Sequence, residues 1–435
     1  MAQVDLQTLE AVARERVEPK VHQYVNMSAI ALSMVLEDDG ENVAETNLRG
    51  VRIAAQFQVN PGFGYGAEFD VLPEAGSPVY KDMRVFFTRL YHGGRFTGDA
   101  LEQMGKGEDM LIGGLTDRFA QDADAIRKEV NQQLYDGGDN VKATVEGTVT
   151  TGANGSFKCA LPFGIHRLFK GGKYALVNPS TGAYRVNGGS SPFAMKMVSR
   201  VGGSSRMVTF DAVPSDAAAG DLVVYFNSYK KGIHGFPYHV NNGNVEYQGL
   251  DKTLNDELKS TVVDGSGGMT WALFDKLEAQ LLYIKGGDFD MSGYSYLMSP
   301  AQYTNYKRLG DGIRRLVDNV ETLDFGVKGV MHNGHKFLVD PDCKDSQIWY
   351  LDKRQFRKYQ FQPLGLWQVQ GRYMQPILTS QTGTTEIGYR DGVQYWHVWK
   401  FDIGGWMPNA HALIDSLPVG TSLPSAGNIF SAAAI

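Results

Sequence analysis

This sequence contains little cysteine and lacks the long apolar runs that are typical of membrane-spanning segments. Its two cysteines, Cys159 and Cys343, form no C-x-x-C pair, which excludes a disulfide framework and favours a reducing compartment. The stretch MSAIALSMVL near the beginning is about half as long as a bilayer span requires. The chain does not open with a basic n-region followed by a long apolar stretch, as a secretion signal would. We therefore expect a soluble protein that is not exported and has no membrane partner.

An excess of positive charge is also absent. There are 42 Lys and Arg against 48 Asp and Glu, a formal net charge of −6. The two signs are mixed along the chain, a pattern that does not favour sequence-specific binding of nucleic acid. The sequence has no G-x-S-x-G nucleophile elbow, no Walker A motif that ends in Lys followed by Ser or Thr, and no H-E-x-x-H motif. We therefore predict no catalytic residue, no cofactor site and no enzymatic activity.

Two short polar motifs are candidates for a metal site. In HNGH, His332 and His335 flank Asn-Gly, which is the usual two-residue turn of a β-hairpin, and no third ligand follows at a fixed spacing. The segment DPDCKD offers Asp340, Asp342 and Asp345 but lacks the glycine and the distal glutamate of a calcium loop. A hairpin and a polar turn are the favoured interpretations, so we predict no metal.

Glycine is abundant, with 51 in 435 residues, and three glycines stand in NPGFGYGAEF at residues 60–69. This G-x-G-x-x-A pattern suggests a dinucleotide-binding turn, which needs a helix directly after it. Pro73, Gly76 and Pro78 leave no room for that helix. Alternating residues from Val79 to Tyr91 predict a second strand instead. We therefore interpret the glycines as the tip of a long hairpin.

A long helix follows this hairpin. Five apolar residues recur three, four or seven positions apart and predict a buried face: Leu115, Phe119, Ile126, Val130 and Leu134. Charged residues between them predict a solvated face, and these are Asp117, Arg118, Asp122, Asp124, Arg127 and Lys128. About 28 helical residues would span roughly 42 Å, enough to brace a whole subunit.

The remaining segments predict a mixed α+β fold. A short helix with Leu6, Leu9, Ala13 and Val17 on one face opens the chain, and a polar, irregular arm follows it through LEDDGENVAETN. Short strands and glycine turns dominate 141–249. Two helices are predicted in TWALFDKLEAQLLYIKGG and AQYTNYKRLGDGIRRLVDNV, with a strand in YSYLMSP, and the last ninety residues return to strands.

The hairpin predicts self-association. An isolated two-stranded hairpin is marginal in water. Here the arms carry apolar residues that need a cover, and these are Val51, Ile53, Phe57, Val85, Phe87 and Tyr91. A second copy of the chain can provide this cover, and head-to-tail contacts of that kind close into rings or shells. The predicted interface residues are Phe63 and Tyr65 at the tip with Phe57 and Phe87 on the arms.

The order of elements resembles the major capsid protein of tailed bacteriophages, the Hong Kong 97-type fold. The resemblance lies in the extended loop, in the helix DMLIGGLTDRFAQDADAIRKEVNQQLYDG, in ALVNPSTGAYRV with AAAGDLVVYF, in TWALFDKLEAQLLYI before YSYLMSPAQYTNYKRL, and in YWHVWKFDIGGWMPNAHALIDSL. It implies an N-terminal arm (1–48), an extended loop (49–98), the spine helix (99–140) and the β-rich part (141–235) of a peripheral domain, an axial domain (236–345), and a return to the peripheral domain with the C-terminal tail (346–435). The length of the β-rich part suggests an insertion.

The resemblance implies a virion protein that is assembled in the host cytoplasm. The subunits would form hexamers and pentamers of an icosahedral shell around double-stranded DNA, which is packaged without sequence-specific binding. Only about 48 residues precede the extended loop, so a separate scaffolding protein is expected. A portal protein and decoration proteins are further implied partners.

Three alternatives stay open at this point. The first is an encapsulin-type nanocompartment shell. The second is a β-rich enzyme or carbohydrate-binding protein, with Trp367, Trp396, Trp399 and Trp406 as stacking platforms. The third is a nucleic-acid surface in WYLDKRQFRKYQF, where aromatic and basic residues alternate. For that segment we favour a half-buried strand whose basic residues face solvent or a neighbouring chain.

Overall fold

The computed structural model describes residues 30–37, 43–46, 49–58, 76–98, 108–160, 165–187, 192–201, 206–244, 246–285, 290–309, 321–322, 328–329, 331–368, 372–380 and 387–418. The predicted N-terminal helix and the C-terminal tail therefore lie outside the described residues. Within them, helices and β-sheets are mixed, which confirms the α+β class. The helices are α1 (Glu108–Leu134), α2 (Phe236–His239), α3 (Trp271–Lys285) and α4 (Pro300–Leu309).

The first sheet is built around one long strand. This strand pairs along one edge with two strands in succession and along its other edge with the strand that follows the hairpin. A further short strand pairs in parallel at the far side of the sheet. The five strands are β1 (Leu36–Glu37), β5 (Thr88–Thr97), β23 (Phe356–Leu366), β24 (Met374–Ser380) and the long β25 (Ile387–Gly405).

Helix α1 packs against the first sheet. Its 27 residues correspond to about 40 Å, as the sequence periodicity predicted. The Phe119 ring meets the edge of Tyr395 at a centroid distance of 5.0 Å. Gly94 of β5 lies over the same tyrosine, and a Cβ there would stand 2.3 Å from the Tyr395 hydroxyl oxygen. Glycine at position 94 therefore lets the tyrosine ring lie under the strand.

Asp122 on α1 corrects the prediction of a fully solvated charged face. Its side chain is buried and accepts a hydrogen bond of 2.5 Å from the Tyr395 hydroxyl. His92 Nε2 lies 3.2 Å from the other carboxylate oxygen. These hydrogen bonds from His92 and Tyr395 lower the pKa of Asp122, although burial, the largest influence, acts to raise it. The sheet side of α1 thus includes a buried carboxylate as well as apolar residues.

The β-rich segment closes into a six-stranded barrel with its own core. The cluster inside includes Phe157, Phe210 and Met195, all fully buried. Val141 on the first strand pairs with Val224 on the last, so the two ends of the barrel lie side by side. The strands, in barrel order, are β10 (Met195–Val201), β11 (Met207–Phe210), β8 (Ser156–Cys159), β6 (Val141–Thr150), β13 (Leu222–Tyr225) and β9 (Lys173–Val177).

The second sheet has six strands and packs against α3. The apolar residues Phe274, Leu277 and Leu281 face this sheet from the helix. Its first two strands pair in parallel although about 150 residues separate them, Thr261 with Ala412. The strands in order are β16 (Thr261–Asp264), β26 (Ala412–Asp415), β22 (Ile348–Asp352), β17 (Tyr294–Met298), β21 (His335–Val339) and β20 (Met331–His332).

The second sheet takes its strands from two of the predicted segments. Strands β22 and β26 lie in the 346–435 segment, whose expected return to the peripheral domain stays a prediction. The hairpin β20–β21 turns through Asn333 and Gly334, both with positive φ, as Asn-Gly predicts. The segment after it is more than a polar turn, because the buried Asp340 accepts hydrogen bonds from Asn131 and from the Tyr135 hydroxyl.

The hairpin is a three-stranded sheet. Residues Val43–Thr46 form a strand on its edge, pairing Val43 with Ile53, so this part of the arm is regular and not irregular as expected. The strands are β2 (Val43–Thr46), β3 (Gly50–Gln58) and β4 (Val79–Phe86). Short two-stranded pairs complete the chain: β7 (Gly152–Ala153) with β12 (Ala212–Val213), β14 (Glu246–Tyr247) with β15 (Leu250–Asp251), and β18 (Glu321–Thr322) with β19 (Lys328–Gly329).

Candidate functional site

The root of the hairpin is covered by its own chain. Cross-strand register sets Val51 opposite Val85 and Ile53 opposite Met83 on one face. This face packs against three residues from elsewhere in the chain, which are Tyr247, Leu258 and Tyr359. The expectation that another copy covers the arms is therefore wrong for Val51, Ile53 and Val85, because alternation sends them into the subunit core.

The opposite face of the hairpin is open to solvent. On β4, Tyr80 is 62% exposed and Phe86 is 53% exposed. Between them lie Asp82, which pairs with Arg52 across the strands, and Arg84. Alternation along β4 places these two large aromatic rings on the face that the subunit core does not cover, which makes this face a candidate interface.

The predicted interface residues fall in different places. Phe63 and Tyr65 lie outside the described residues. Phe57 lies on β3, where only the backbone is described. Phe87 is half-buried just after β4, and its ring centroid lies 6.1 Å from that of Phe361.

The predicted helix residues belong to one cluster. Phe119, Ile126, Val130 and Leu134 are all buried in the core between α1 and the first sheet. Leu115 lies on the helix, and its side chain is outside the described ones.

A second exposed aromatic group lies on the face of the first sheet that points away from α1. The Tyr91 and Trp367 rings lie 5.6 Å apart, and both are partly exposed. Lys400 Nζ lies 4.6 Å above the centroid of the Phe361 ring. Sequence reasoning had placed Phe87 and Tyr91 of this group on a hairpin arm that another copy should cover. The alternation on β5, with Arg89 and Tyr91 on one face and Leu90 on the other, is the signal for this surface.

A groove of about 1200 Å³ separates α1 from the barrel. The groove is lined by the stretch 88–92 of β5, by Ile126 of α1, and by Phe169 and Phe226 of the barrel region. Across the base, Lys142 Nζ of the barrel lies 2.5 Å from Glu129 Oε1 of the helix, in a nearly solvent-free ion pair. This pair fixes the barrel relative to α1, because leaving either charge alone there is costly.

The end of α3 is a further exposed apolar surface. Leu282, Tyr283 and Ile284 are consecutive and all exposed, and Tyr283 is 90% exposed. Three successive positions cover about 200° of a helix, so this end projects from the fold on most sides. Beside it, burial lowers the pKa of Lys285 to about 8.

The titratable groups with the largest shifts lie in the core. Burial lowers the pKa of His239 to about 3 and that of His397 to about 4. Both cysteines are free and buried, and burial raises the pKa of the Cys159 thiol to about 12. These groups fit a structural interior better than a reactive centre.

The residues of the candidate metal and nucleic-acid motifs also lie largely in the interior of the subunit. Within the described parts of the chain, no cluster of three His, Cys, Asp or Glu residues has the arrangement of a metal site. The His332 ring stacks on Trp271 at 5.5 Å and hydrogen-bonds Tyr306. In WYLDKRQFRKYQF the aromatic residues Trp349, Tyr350, Phe356 and Tyr359 are buried. Lys358 is buried as well, which corrects the expectation that the basic residues of this segment face outward.

The four tryptophans of the carbohydrate-platform alternative differ in exposure. Trp399 is buried and stacks on Phe401, Trp396 and Trp406 are half-buried, and Trp367 is partly exposed. No helix of the described residues is long and apolar enough to cross a membrane.

Comparisons with known proteins give structural similarities only. No protein-family model and no curated protein matches the chain. A capsid asymmetric unit of cyanophage A-1(L) is 13% identical and covers 90% of this chain and 93% of its own, with a TM-score of 0.48. The capsid of Myoviridae phage XM1 is 9% identical over 90% of this chain and 92% of its own, with a TM-score of 0.40. The SrpI encapsulin of Synechococcus elongatus PCC 7942 is 16% identical over only 42% of this chain and 56% of its own, at 0.27.

The two phage capsid similarities each extend over nine tenths of this chain. The encapsulin similarity is weaker and partial. With identities under 25% and TM-scores under 0.5, the function has to be argued from the surfaces of the chain itself.

Proposed function

We propose that this chain is the major capsid protein of a tailed double-stranded DNA phage. Its copies assemble into the hexamers and pentamers of an icosahedral shell. The observation that carries the proposal is the open face of the hairpin, where Tyr80 and Phe86 are exposed while the opposite face is locked into the subunit. A rigidly rooted projection with an apolar outer face supports contact between identical subunits.

Two other surfaces support the same function. The aromatic face belongs to the first sheet, whereas the exposed end of α3 belongs to the helix that packs against the second sheet. One subunit therefore presents apolar surface in more than one direction. A shell requires several different contacts per subunit, whereas a simple dimer requires one. Helix α1 spans about 40 Å along the first sheet and supplies a rigid brace between these contacts.

The finer assignments follow the sequence resemblance. The first sheet with α1 corresponds to the peripheral domain, the second sheet to the axial domain near the capsomer centre, and the barrel to an insertion. A scaffolding protein, a portal protein and decoration proteins are the implied partners, and DNA is enclosed without sequence-specific contacts. Assembly would take place in the host cytoplasm, and the chain itself would have no enzymatic activity.

The test is electron microscopy and analytical ultracentrifugation of the purified chain, expressed alone and with a candidate scaffolding protein. We expect rings or closed shells. Replacing Tyr80 and Phe86 by Ser should reduce assembly while circular dichroism stays unchanged. The matched control replaces two exposed lysines, Lys276 and Lys353, by Ser. A wild-type chain that remains monomeric under all these conditions contradicts the proposed function.

The encapsulin-type shell stays the second candidate. Particles of both kinds are closed shells, so their contents separate the two functions. Nuclease-protected double-stranded DNA in particles from the native host supports the phage capsid. An enclosed enzyme without DNA supports the nanocompartment.

A further inference from the structure

The barrel differs in charge from the rest of the chain. Residues 141–225 contain nine Lys and Arg but only four Asp and Glu, whereas the whole chain has a net charge of −6. The excess of positive charge therefore lies on the barrel, and the excess of negative charge lies outside it. Charge that is segregated in this way favours docking on an oppositely charged partner.

The carboxylates of the barrel are already engaged. Two of them form ion pairs with basic side chains, and the other two accept hydrogen bonds from backbone N–H groups. The ion pairs join Glu146 to Lys158 and Arg206, and Asp221 to Arg185, while Asp211 and Asp216 accept from the N–H groups of Lys196 and Val186. Among the described residues, no carboxylate lies within ion-pair distance of Lys170, Lys173 or Lys196, and all three are exposed. Three basic side chains therefore remain for an external anionic group.

The three lysines lie close together on the barrel surface. Lys173 on β9 stands directly opposite Lys196 on β10, and both side chains point outward because their neighbours Tyr174 and Met195 are buried. Lys170 lies in the turn that leads into β9. Like charges at directly opposed positions destabilise a strand pair. An anionic partner that lies across both lysines would remove this repulsion.

Apolar side chains complete this surface. Phe169 precedes Lys170 in the turn, Val198 follows Lys196 by two positions on β10, and both are exposed. A simple inorganic anion would leave these two side chains in water, so the surface fits a protein partner with acidic residues around an apolar one. The barrel patch is defined as Phe169, Lys170, Lys173, Lys196 and Val198.

One loop of this chain carries the complementary pattern. Leu254 is 80% exposed, and exposed carboxylates flank it on both sides in the sequence. Together they form the acidic loop, which comprises Asp251, Leu254, Asp256 and Glu257. Lys259 pairs with Asp256, whereas no basic side chain of the described residues lies within ion-pair distance of Asp251 or Glu257. The acidic loop therefore keeps a net negative charge around an exposed leucine.

The acidic loop is fixed to the subunit from beneath. The Asn255 side chain accepts a hydrogen bond from Lys81 on β4 and donates one of 2.6 Å to the Asp251 carbonyl. Leu258, just after the loop, is buried at the root of the hairpin with Tyr247. A loop that is fixed before binding loses little conformational entropy when it docks.

We propose that the barrel patch of one copy docks on the acidic loop of an adjacent copy. The three lysines face the carboxylates of the loop, and Leu254 packs against Phe169 and Val198. Because the two surfaces differ, the contact is head-to-tail and repeats from copy to copy, as a ring or a shell requires. This inference rests on the proposed function, because it names a further contact between the assembling subunits.

The first test compares two charge-reversed variants of the full chain by sedimentation at low salt. Lys173→Glu with Lys196→Glu makes the barrel patch acidic, and Asp256→Lys with Glu257→Lys makes the loop basic. Each variant alone brings like charges together, so we expect its self-association constant to fall about tenfold. An equimolar mixture should regain association, because each patch then meets a loop of opposite charge on the other variant.

The control for this test is Lys276→Glu with Lys353→Glu, which makes the same change in net charge at two exposed lysines outside both surfaces. It should associate as the wild type does. Normal association of the first variant, or a mixture that is as defective as its components, overturns the proposal.

The second test locates the contact by cross-linking. A carbodiimide joins lysine amines to carboxylates that touch them, and an equal mixture of isotope-labelled and unlabelled subunits separates links between copies from links within one copy. We expect mixed-isotope links between the lysines of the barrel patch and the carboxylates of the acidic loop. Links within single copies only, or no such links in associated material, contradict docking between copies.

The third test compares stability with assembly. Lys196→Glu replaces repulsion from Lys173 by attraction, so thermal melting of the isolated subunit should rise slightly while assembly weakens. A residue with only a structural role would move both measurements in the same direction. Leu254→Ser should leave melting unchanged, since the side chain is exposed, and should weaken assembly severalfold. Lower melting of Lys196→Glu, or full assembly of Leu254→Ser, contradicts the proposed contact.

Failure of this contact and failure of the proposed function are separate outcomes. If the variants of the barrel patch form normal shells, the contact is contradicted and the capsid function stands. If the wild type forms no rings, shells or other oligomers, the capsid function fails, and isotope-resolved cross-linking of concentrated subunits alone decides on the contact.

Discussion

At the scale of single residues, substitutions of Ile126 test how much the packing of α1 against the first sheet stabilises the subunit. It is buried among the core residues of α1 and the sheet. We expect Ile126→Ala to destabilise the subunit by about 2–4 kcal/mol, because it removes buried methyl groups and leaves a cavity. Ile126→Asp should prevent folding, since it would bury an unpaired charge. Soluble yield and thermal melting measure both effects.

The control for this prediction is on the same helix. Gln121 is exposed, and Gln121→Ala should change stability by less than about 0.5 kcal/mol. If Ile126→Asp stays soluble with an unchanged melting curve, the apolar face of α1 does not pack as described.

The lowered pKa of the buried His397 predicts how the stability of the folded subunit depends on pH. Its ring is buried beside Phe119 and Tyr395, and neither ring nitrogen has a hydrogen-bond partner among the described residues. Burial lowers its pKa to about 4, and the opposing charge of Asp122 limits the drop. Below pH 6.5 this histidine binds a proton in the unfolded chain but stays neutral in the folded chain until the pH approaches 4. Stability is therefore complete above pH 6.5 and falls towards pH 4.

The test is His397→Phe, which keeps an aromatic ring and removes the titration. We expect melting near pH 7 to change little. When the pH falls from 6.5 to 4, the free energy of unfolding should fall less in the variant than in the wild type, by up to roughly 3 kcal/mol. The buried His239 and His411 shift in the same direction and remain in the variant, so some acid loss persists. Parallel pH curves for the two proteins would contradict this account.

At the scale of elements, the hairpin should behave differently at its root and at its tip. Ile53→Ser places a hydroxyl in the cluster with Tyr247 and Tyr359 and should destabilise the subunit itself. Phe63→Ser with Tyr65→Ser should leave the subunit folded and weaken or block shell assembly, because the tip is predicted to dock on another copy.

Sedimentation and circular dichroism of both variants separate these effects. A dinucleotide site at the same glycines predicts lost nucleotide binding with assembly untouched, which a nucleotide titration would detect. Normal shells from the tip variant would exclude the hairpin tip as an interface.

Local patterns predicted the elements that local chemistry controls. The period of Phe119, Ile126 and Val130 placed α1, and Asn-Gly placed the turn of β20–β21, because each signal lies within one element. The strand predicted from Val79 to Tyr91 is extended in the structure, but the structure divides it between two sheets and continues it to Thr97. Phe86 ends β4 on the hairpin, and Thr88 begins β5 on the first sheet.

Pairing between distant segments was not readable from the sequence. Thr261 pairs with Ala412, and Tyr294 pairs with Asp352, and neither local pattern names its partner. The burial of Asp122 was missed for the same reason, since its partners His92 and Tyr395 come from two other strands. A charged residue at a helix surface position is assigned to solvent unless its partners are known.

At the scale of the whole molecule, the barrel is organised as a module inserted between α1 and the rest of the chain. Its core cluster is separate from the clusters of the two sheets. Because Val141 pairs with Val224, a short turn can replace everything between them without moving the flanking segments. Ion pairs that link the barrel region to the rest of the subunit include Lys142 with Glu129 of α1 and His166 with Asp342, whereas Arg185 with Asp221 lies within the barrel region.

This organisation predicts that barrel and subunit fold separately. A fragment of residues 139–229 should fold alone, with the circular dichroism of a β protein and a cooperative melt. The full chain with 143–222 replaced by Gly-Gly should keep both sheets, provided that Asp342→Asn also removes the carboxylate that His166 and Arg167 no longer neutralise. The deletion without Asp342→Asn is the matched comparison and should melt lower. An unfolded fragment together with an insoluble deletion chain would mean that the barrel is an integral part of the subunit core.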